Sequence, residues 1–297
     1  MSRPILCLVA LLSSVSASFA ANAYPPSFEG ARAEIYKTVG DTQLSLHIFE
    51  PAGPPQKNRP AIIFFFGGGW TNGSPTQFEQ HCRALAARGM VAITADYRVA
   101  SRQNAKPIDC VADAKSAVRW LRANAARLGL DPHRIAAGGG SAGGHIAAAT
   151  IIPGLDQPGE DTSVSAVPDA LVLFNPALVL APMAGLDLAG FGTRVPAERL
   201  GTEPENISPA HHVKRGAPPT IIFHGRADTT VPYATAEAFA RVMKAAGNRC
   251  ELVGYEGQTH GFFNYGRGDN GNYRATLAAT DAFLVSLGYL SAPTKQN

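Results

Sequence analysis

The run Ala61 to Phe66 is apolar without a break, as in a strand covered on both faces. It opens a series in which short apolar runs alternate with segments of helical period. Few folds are open to such a chain. Parallel strands need long crossovers, and right-handed crossovers wind helices onto both faces of one sheet. After Ala61 to Phe66, Ser74 and Pro75 supply an N-cap and a first-turn proline for a helix through Arg88, which Gly89 closes. The series continues as strand Val91 to Ala95, helix Val111 to Leu128, strand Ile135 to Gly138, helix Ala142 to Ile152 and strand Ala170 to Phe174. Strand Thr220 to Phe223, helix Tyr233 to Ala246, strand Glu251 to Tyr255 and helix Tyr273 to Leu287 complete it. Ahead of the series, Gly40-Asp41 separates Ala33 to Val39 from Gln43 to Phe49, and the alternation of Leu44, Leu46 and Ile48 marks an antiparallel hairpin. The expectation is a mostly parallel, doubly wound α/β sheet with an N-terminal antiparallel hairpin and helices on both faces. Pro153 to Pro168 and Ala177 to Pro218 match no element, and the second is expected to form a lid or insertion.

The first residues stand apart from this fold. Arg3, the apolar run Ile5 to Leu12 and the small residues ending Ala21-Asn22-Ala23 read as a secretory signal over residues 1–23, cut before Tyr24 or after Ala20. Residues 24–297 then form one exported domain, secreted or periplasmic. The apolar run is too short to span a bilayer, so no stable membrane insertion is expected. Charged residues are 16% of the 297 and the formal net charge is +3, with no block of like charge, which excludes the electrostatic footprint of a nucleic-acid binder. Beyond Cys7 the chain carries Cys82, Cys110 and Cys250. In an oxidising compartment a Cys82–Cys110 bridge is the preferred pairing, and three buried thiols are the open alternative.

Chemistry concentrates in four places. Gly139-Gly140-Ser141-Ala142-Gly143 lies at a strand-to-helix junction, where a tight turn between small residues would expose the serine hydroxyl at the helix N-terminus. Gly138, Gly140 and Gly143 also fit a dinucleotide-binding G-x-G-x-x-G, with Asp161 roughly 20 residues on. That reading is set aside because the turn comes after several βα units and Asp161 falls in a Pro/Gly-rich loop. A nucleophilic serine needs a base, and the base needs an acid to hold its tautomer. Asp228, just past Thr220 to Phe223, and His260, just past the strand ending at Tyr255, follow in that order at the carboxyl ends of strands. Acyl transfer also needs amide donors for an oxyanion. Gly67-Gly68-Gly69-Trp70, after the first buried strand, supplies Gly68 and Gly69, to be joined by the amide of Ala142. Trp70 is expected to pack in the core or to line the substrate cleft. His211 and His212 are adjacent and face apart, no CxxC or HExxH occurs, and neither a metal nor an organic cofactor is expected.

With these motifs the chain resembles the α/β-hydrolases, in particular secreted carboxylesterases similar to hormone-sensitive-lipase-like esterases and bacterial acetylxylan and feruloyl esterases. The resemblance covers about Ala61 to Leu287 and rests on Gly67 to Trp70, Gly139 to Gly143, Gly225 to Pro232 and His260-Gly261-Phe262. Phe66 stands where the family's oxyanion motif has a histidine that braces the loop. The resemblance implies a cofactor-free, two-step hydrolysis of small-molecule or carbohydrate esters, either short-acyl or carbohydrate-linked with acetyl or feruloyl groups. Ser141 would be the nucleophile, His260 the base and Asp228 its orienting acid. A serine peptidase or amidase, and a binding protein on a hydrolase scaffold, are the alternatives.

Overall fold

The structure is a computed structural model that describes residues 24–186 and 196–292; the signal reading of residues 1–23 lies outside them. Among the described residues eight strands form one sheet in the order β1-β2-β4-β3-β5-β6-β7-β8. These are β1 (Arg32–Val39), β2 (Thr42–Phe49), β3 (Arg59–Phe65), β4 (Val91–Ala95), β5 (Leu130–Gly140), β6 (Ala170–Phe174), β7 (Thr220–Gly225) and β8 (Cys250–Tyr255). The hairpin β1–β2 is antiparallel and joins β4 antiparallel, whereas every pairing from β4 to β8 is parallel. The expected α/β architecture is therefore observed.

The helices are α1 (Glu79–Ala87), α2 (Ala100–Gln103), α3 (Pro107–Ala123), α4 (Ala125–Leu128), α5 (Ala142–Ala149), α6 (Ala197–Leu200), α7 (Tyr233–Ala245) and α8 (Gly271–Ser286). The short α2 and α6 match no expected helix, α5 ends at Ala149 rather than Ile152, and two further helices differ for local reasons. Ser74 caps a 3-10 turn, Pro75–Phe78, and α1 starts only after it. The expected helix Val111 to Leu128 begins earlier, at Pro107, and divides at Asn124. There the Asn124 side-chain amide donates to Trp120 O at 2.9 Å, a local bond that competes with helix continuation.

Crossover direction sorts the core into two layers. The β3-α1-β4 connection steps one way along the sheet, and β4-α3-β5 steps back across β3. With both crossovers right-handed, α1 and α3 fall on opposite faces. Cys82 on α1 accordingly packs with Ile62, Phe64, Phe78 and Phe174, while Cys110 on α3 packs with Ile63, Phe65, Val111 and Ile93. The sheet lies between them. The preferred Cys82–Cys110 bridge is thus overturned: all three described cysteines are free and buried. Their shared neighbour β4 made them close in sequence logic, but not in space.

The segment 177–218, expected as a lid or insertion, contributes to the core on both sides of its undescribed part. Ala177 to Ala181, Leu200, Ile207 and Ala210 are buried. Leu178 O accepts from Ala210 N at 3.0 Å, and Leu180 N donates to Ser208 Oγ at 2.9 Å. His211 and His212 hold this segment through different partners, Ser208 Oγ at 2.8 Å and Glu205 O at 2.9 Å.

Alkylation without reductant should leave Cys82, Cys110 and Cys250 unmodified in the native protein and label all three after denaturation, read by peptide mass spectrometry. Recovery of a Cys82–Cys110 cross-linked peptide would contradict the two-layer placement.

Candidate active site

Parallel pairing brings the carboxyl ends of β3, β5, β6, β7 and β8 to one edge, and the candidate residues collect there. Ser141 follows β5 with φ 53° and ψ −118°, a conformation an L-residue enters only under constraint. Its N–H donates to Phe174 O at 2.8 Å, and its carbonyl accepts from His145 N at 2.9 Å. The turn depends on backbone proximity: a Cβ at Gly143 would lie 2.0 Å from Phe65 O, so only glycine lets α5 approach the end of β3 so closely. Asp161, the residue required by the dinucleotide reading, instead bonds the Ser163 amide at 2.9 Å within its own exposed turn.

Asp228 is buried with a side chain at 0% exposure, while His260 is 25% exposed. Oδ1 of Asp228 accepts from the amides of Thr230 and Val231 at 2.8 and 2.9 Å. Oδ2 accepts from Asn175 Nδ2 at 2.5 Å and faces His260 Nδ1 at 2.7 Å. His224 Nε2 stands 3.4 Å from the same oxygen while bonded to Val231 O at 2.8 Å. Burial alone would push the Asp228 carboxyl up. The contacts from His224, His260 and the Val231 amide outweigh that and hold it well below the usual carboxylate range. An ionised Asp228 accepts a hydrogen bond from His260 Nδ1–H, which leaves Nε2 as the basic nitrogen. The side-chain hydrogen bond of His260 in the structure runs to Asp228 and not to Ser141 Oγ; bonds between a nucleophile and its base are often long in the absence of substrate.

The oxyanion loop follows β3. Gly68 has φ 131°, and a Cβ there would lie 2.2 Å from Asn72 O. Among the described residues the amides of Gly68, Gly69 and Ala142 donate to no protein acceptor, whereas Gly67 N is committed to Gln77 Oε1 at 2.6 Å. A Cβ at Gly67 would come within 3.3 Å of Ser141 Cβ, so the loop and the serine are neighbours.

Bracing in this loop differs from the histidine of the resembling families. Phe66 stacks on Tyr97 with ring centroids 4.1 Å apart, and the Tyr97 hydroxyl donates to Phe66 O at 2.6 Å. Trp70, a candidate for the cleft, is buried, and its Nε1–H donates to His145 Nδ1 at 3.1 Å. The His145 Nε2–H in turn donates to Ile207 O at 2.7 Å. Trp70 thus serves the site from beneath, by pinning the loop to α5 and to the segment around Ile207. This chain needs a neutral imidazole, since protonated Nδ1 would confront the indole N–H; burial pushes the His145 pKa down to about 4.

Sequence reasoning missed Asn175, His145, His224 and Gln77. Asn175 carried one signal, its place just past an apolar strand like Asp228, and its φ of 43° is a further mark of the functional edge.

Against this geometry, a family profile described as alpha/beta hydrolase fold matches residues 62–264. The chain belongs to that family. It is 33% identical over 237 residues to esterase LipC of Mycobacterium tuberculosis, covering 75% of this chain and 58% of LipC, so it spans less than two thirds of that relative. Among solved structures it is similar to the native esterase 2 of the planctomycete Thermogutta terrifontis, with 53% identity, a TM-score of 0.87, and coverage of 93% of this chain and 99% of that one. The butyrate-bound form of the same esterase gives 53% identity, a TM-score of 0.86, and coverage of 92% and 99%.

Two outcomes follow from the electrostatics. Asn175→Ala removes a donor to a buried carboxylate, a loss of about 1.5–3 kcal/mol, and should lower kcat/KM by roughly 10- to 100-fold if all of it bears on the transition state. An unchanged kcat/KM would rule out a role for Asn175 in holding Asp228. Burial also pushes His47 and His145 down to about 4 and His81 to about 3, so the folded state resists three protons that the unfolded chain binds below about pH 6.5. Asp96, pushed by burial up to about 6, takes up one proton when folded and offsets one of the three. Stability should therefore fall from pH 6 to pH 5 with a slope of up to about 2.7 kcal/mol per pH unit. Urea midpoints equal at pH 7 and pH 5 would refute this balance.

Proposed function

We propose that the protein is a serine carboxylic-ester hydrolase that works through an acyl-enzyme. The observation that carries this reading is the Asp228–His260 pair, poised on the same sheet edge as a strained Ser141 and a glycine loop with uncommitted amides. Ser141 Oγ attacks the ester carbonyl and its proton passes to His260 Nε2. Asp228 keeps its charge and steadies the imidazolium that forms. The developing oxyanion is held by the amides of Gly68, Gly69 and Ala142, which are already oriented and so need no reorganisation during the step. Collapse of the tetrahedral intermediate breaks the C–O bond, and the leaving alcohol takes the proton from His260. Water, activated by the same His260, then releases the acid and restores Ser141.

Short acyl groups are the proposed substrates on the acid side, supported by the similarity to the Thermogutta terrifontis esterase, one of whose structures holds butyrate. Esters whose alcohol part is a carbohydrate and whose acyl part is acetyl or feruloyl are the other proposed class. The same reading takes residues 1–23 as an export signal.

The test is hydrolysis of p-nitrophenyl esters from acetate to long chains by the wild type and by Ser141→Ala. Turnover should be greatest for acetate to butyrate and should fall at least about 10³-fold in the variant. Activity that survives Ser141→Ala, or cleavage of peptide p-nitroanilides in preference to esters, would defeat the reading.

A further inference from the structure

The three parts of the site come from chain segments far apart in sequence: the oxyanion loop after β3, the serine turn after β5 and the histidine loop after β8. One side chain bonds to the first and the last of these and lies beside the end of β5 that leads into the second. Gln77, in the 3-10 turn Pro75–Phe78, accepts from Gly67 N through Oε1 at 2.6 Å. Its Nε2 donates to Asn264 Oδ1 at 2.9 Å, and Asn264 Nδ2 donates to Gly261 O, the residue after His260, also at 2.9 Å. The same Nε2 would stand 3.5 Å from a Cβ at Gly140, immediately before Ser141.

The polarity of this chain admits one arrangement. A backbone N–H only donates, so the Gln77 carbonyl must face Gly67 and its amide nitrogen must face Asn264. The carbonyl of Gly261 only accepts, so Asn264 must turn its own nitrogen there and its oxygen to Gln77. Every donor meets an acceptor from Gly67 to Gly261. Phe78, the next residue, fixes the turn beneath by stacking on Phe64 and Phe263 at centroid distances of 4.8 and 6.1 Å.

We propose that Gln77 is a positioning residue that ties the oxyanion loop to the histidine loop across the serine turn, so that oxyanion donors and base keep one mutual geometry. This rests on the esterase reading above. Gln77 touches no reacting atom. Its commitment of Gly67 N also explains why the donor set begins at Gly68. Gln77→Leu removes both halves of the link. Gln77→Glu keeps the acceptor for Gly67 but sets an oxygen against Asn264 Oδ1, which Asn264 can relieve only by turning and giving up Gly261 O.

The experiment measures kcat and KM on p-nitrophenyl acetate, with thermal melting, for wild type, Gln77→Leu, Gln77→Glu, Asn264→Leu and the Gln77→Leu/Asn264→Leu double variant. Misplacement of catalytic groups by an ångström costs on the order of 10²-fold, so Gln77→Leu should lose about 30-fold in kcat with KM changed by less than about twofold. Gln77→Glu should fall between it and wild type. The double variant should lose no more than about twofold beyond Gln77→Leu, since both residues serve one link. If Gln77→Leu fails to fold, Gln77→Glu carries the test with an expected loss of about fivefold in kcat. Wild-type kcat in the folded Gln77 variants, a loss confined to KM, or losses that multiply in the double variant would each overturn the proposal. The Ser141→Ala control is independent of these results, so failure of the link and failure of the esterase reading are told apart.

Discussion

The approach of α5 to the end of β3 is the contact on which the site depends. Glycine at 143 allows the first turn of α5 to lie against the carbonyls of Phe65 and Phe66, and a side chain there would meet Phe65 O at 2.0 Å. That approach is what lets Ser141 stand at φ 53° with its amide bonded to Phe174 O and the uncommitted amide of Ala142 next to it. The cost of holding a residue in such a conformation, of order 1–3 kcal/mol, is offset by packing spread over the sheet. The strain places the hydroxyl beyond the sheet edge, beside the oxyanion loop, rather than within the strand.

Around this point the polar groups are arranged so that charge stays where it is needed. Asp228 is desolvated, yet contacts from backbone amides, Asn175 and two histidines keep it ionised. The buried imidazoles have the opposite role. His145 is held neutral by burial and acts as a relay of fixed polarity between Trp70 and Ile207 O. His81 lies among Phe78, Phe174 and Tyr273, with centroids 5.0, 5.5 and 4.8 Å away, where a charge would have no partner. Asp228 is thus kept charged while His81 and His145 are kept neutral.

Phe66 shows how such a loop is braced without a histidine at that position. Its ring stacks on Tyr97, its carbonyl takes the Tyr97 hydroxyl, and Arg102 lies 5.9 Å from its ring centre. The brace is delivered from just past β4 and from α2, through Tyr97 and Arg102, not from within the motif. Gln77 and Asn264 extend the same principle to the histidine loop, 187 residues away in the chain.

Strand and helix periods are local properties, so the alternation from Ala61 onward was enough to determine the parallel sheet, and the order of Ser141, Asp228 and His260 after successive apolar runs was enough to bring them to one edge. The glycines before Trp70 and around Ser141 were legible for the same reason, because a tight turn demands them wherever it occurs. What lay beyond the sequence depended on which face or edge each crossover selects. Cys82 and Cys110 flank one strand yet sit on opposite faces, so no bridge forms. Trp70 turns inward because His145, 75 residues on, offers its indole a buried acceptor. Asn175 and Gln77 gain their roles only from partners that the closed sheet edge supplies. Local chemistry determined the elements and the order of reactive groups; only the tertiary structure decided their bracing, because hydrogen bonds and burial between distant segments exist once the sheet has brought those segments together.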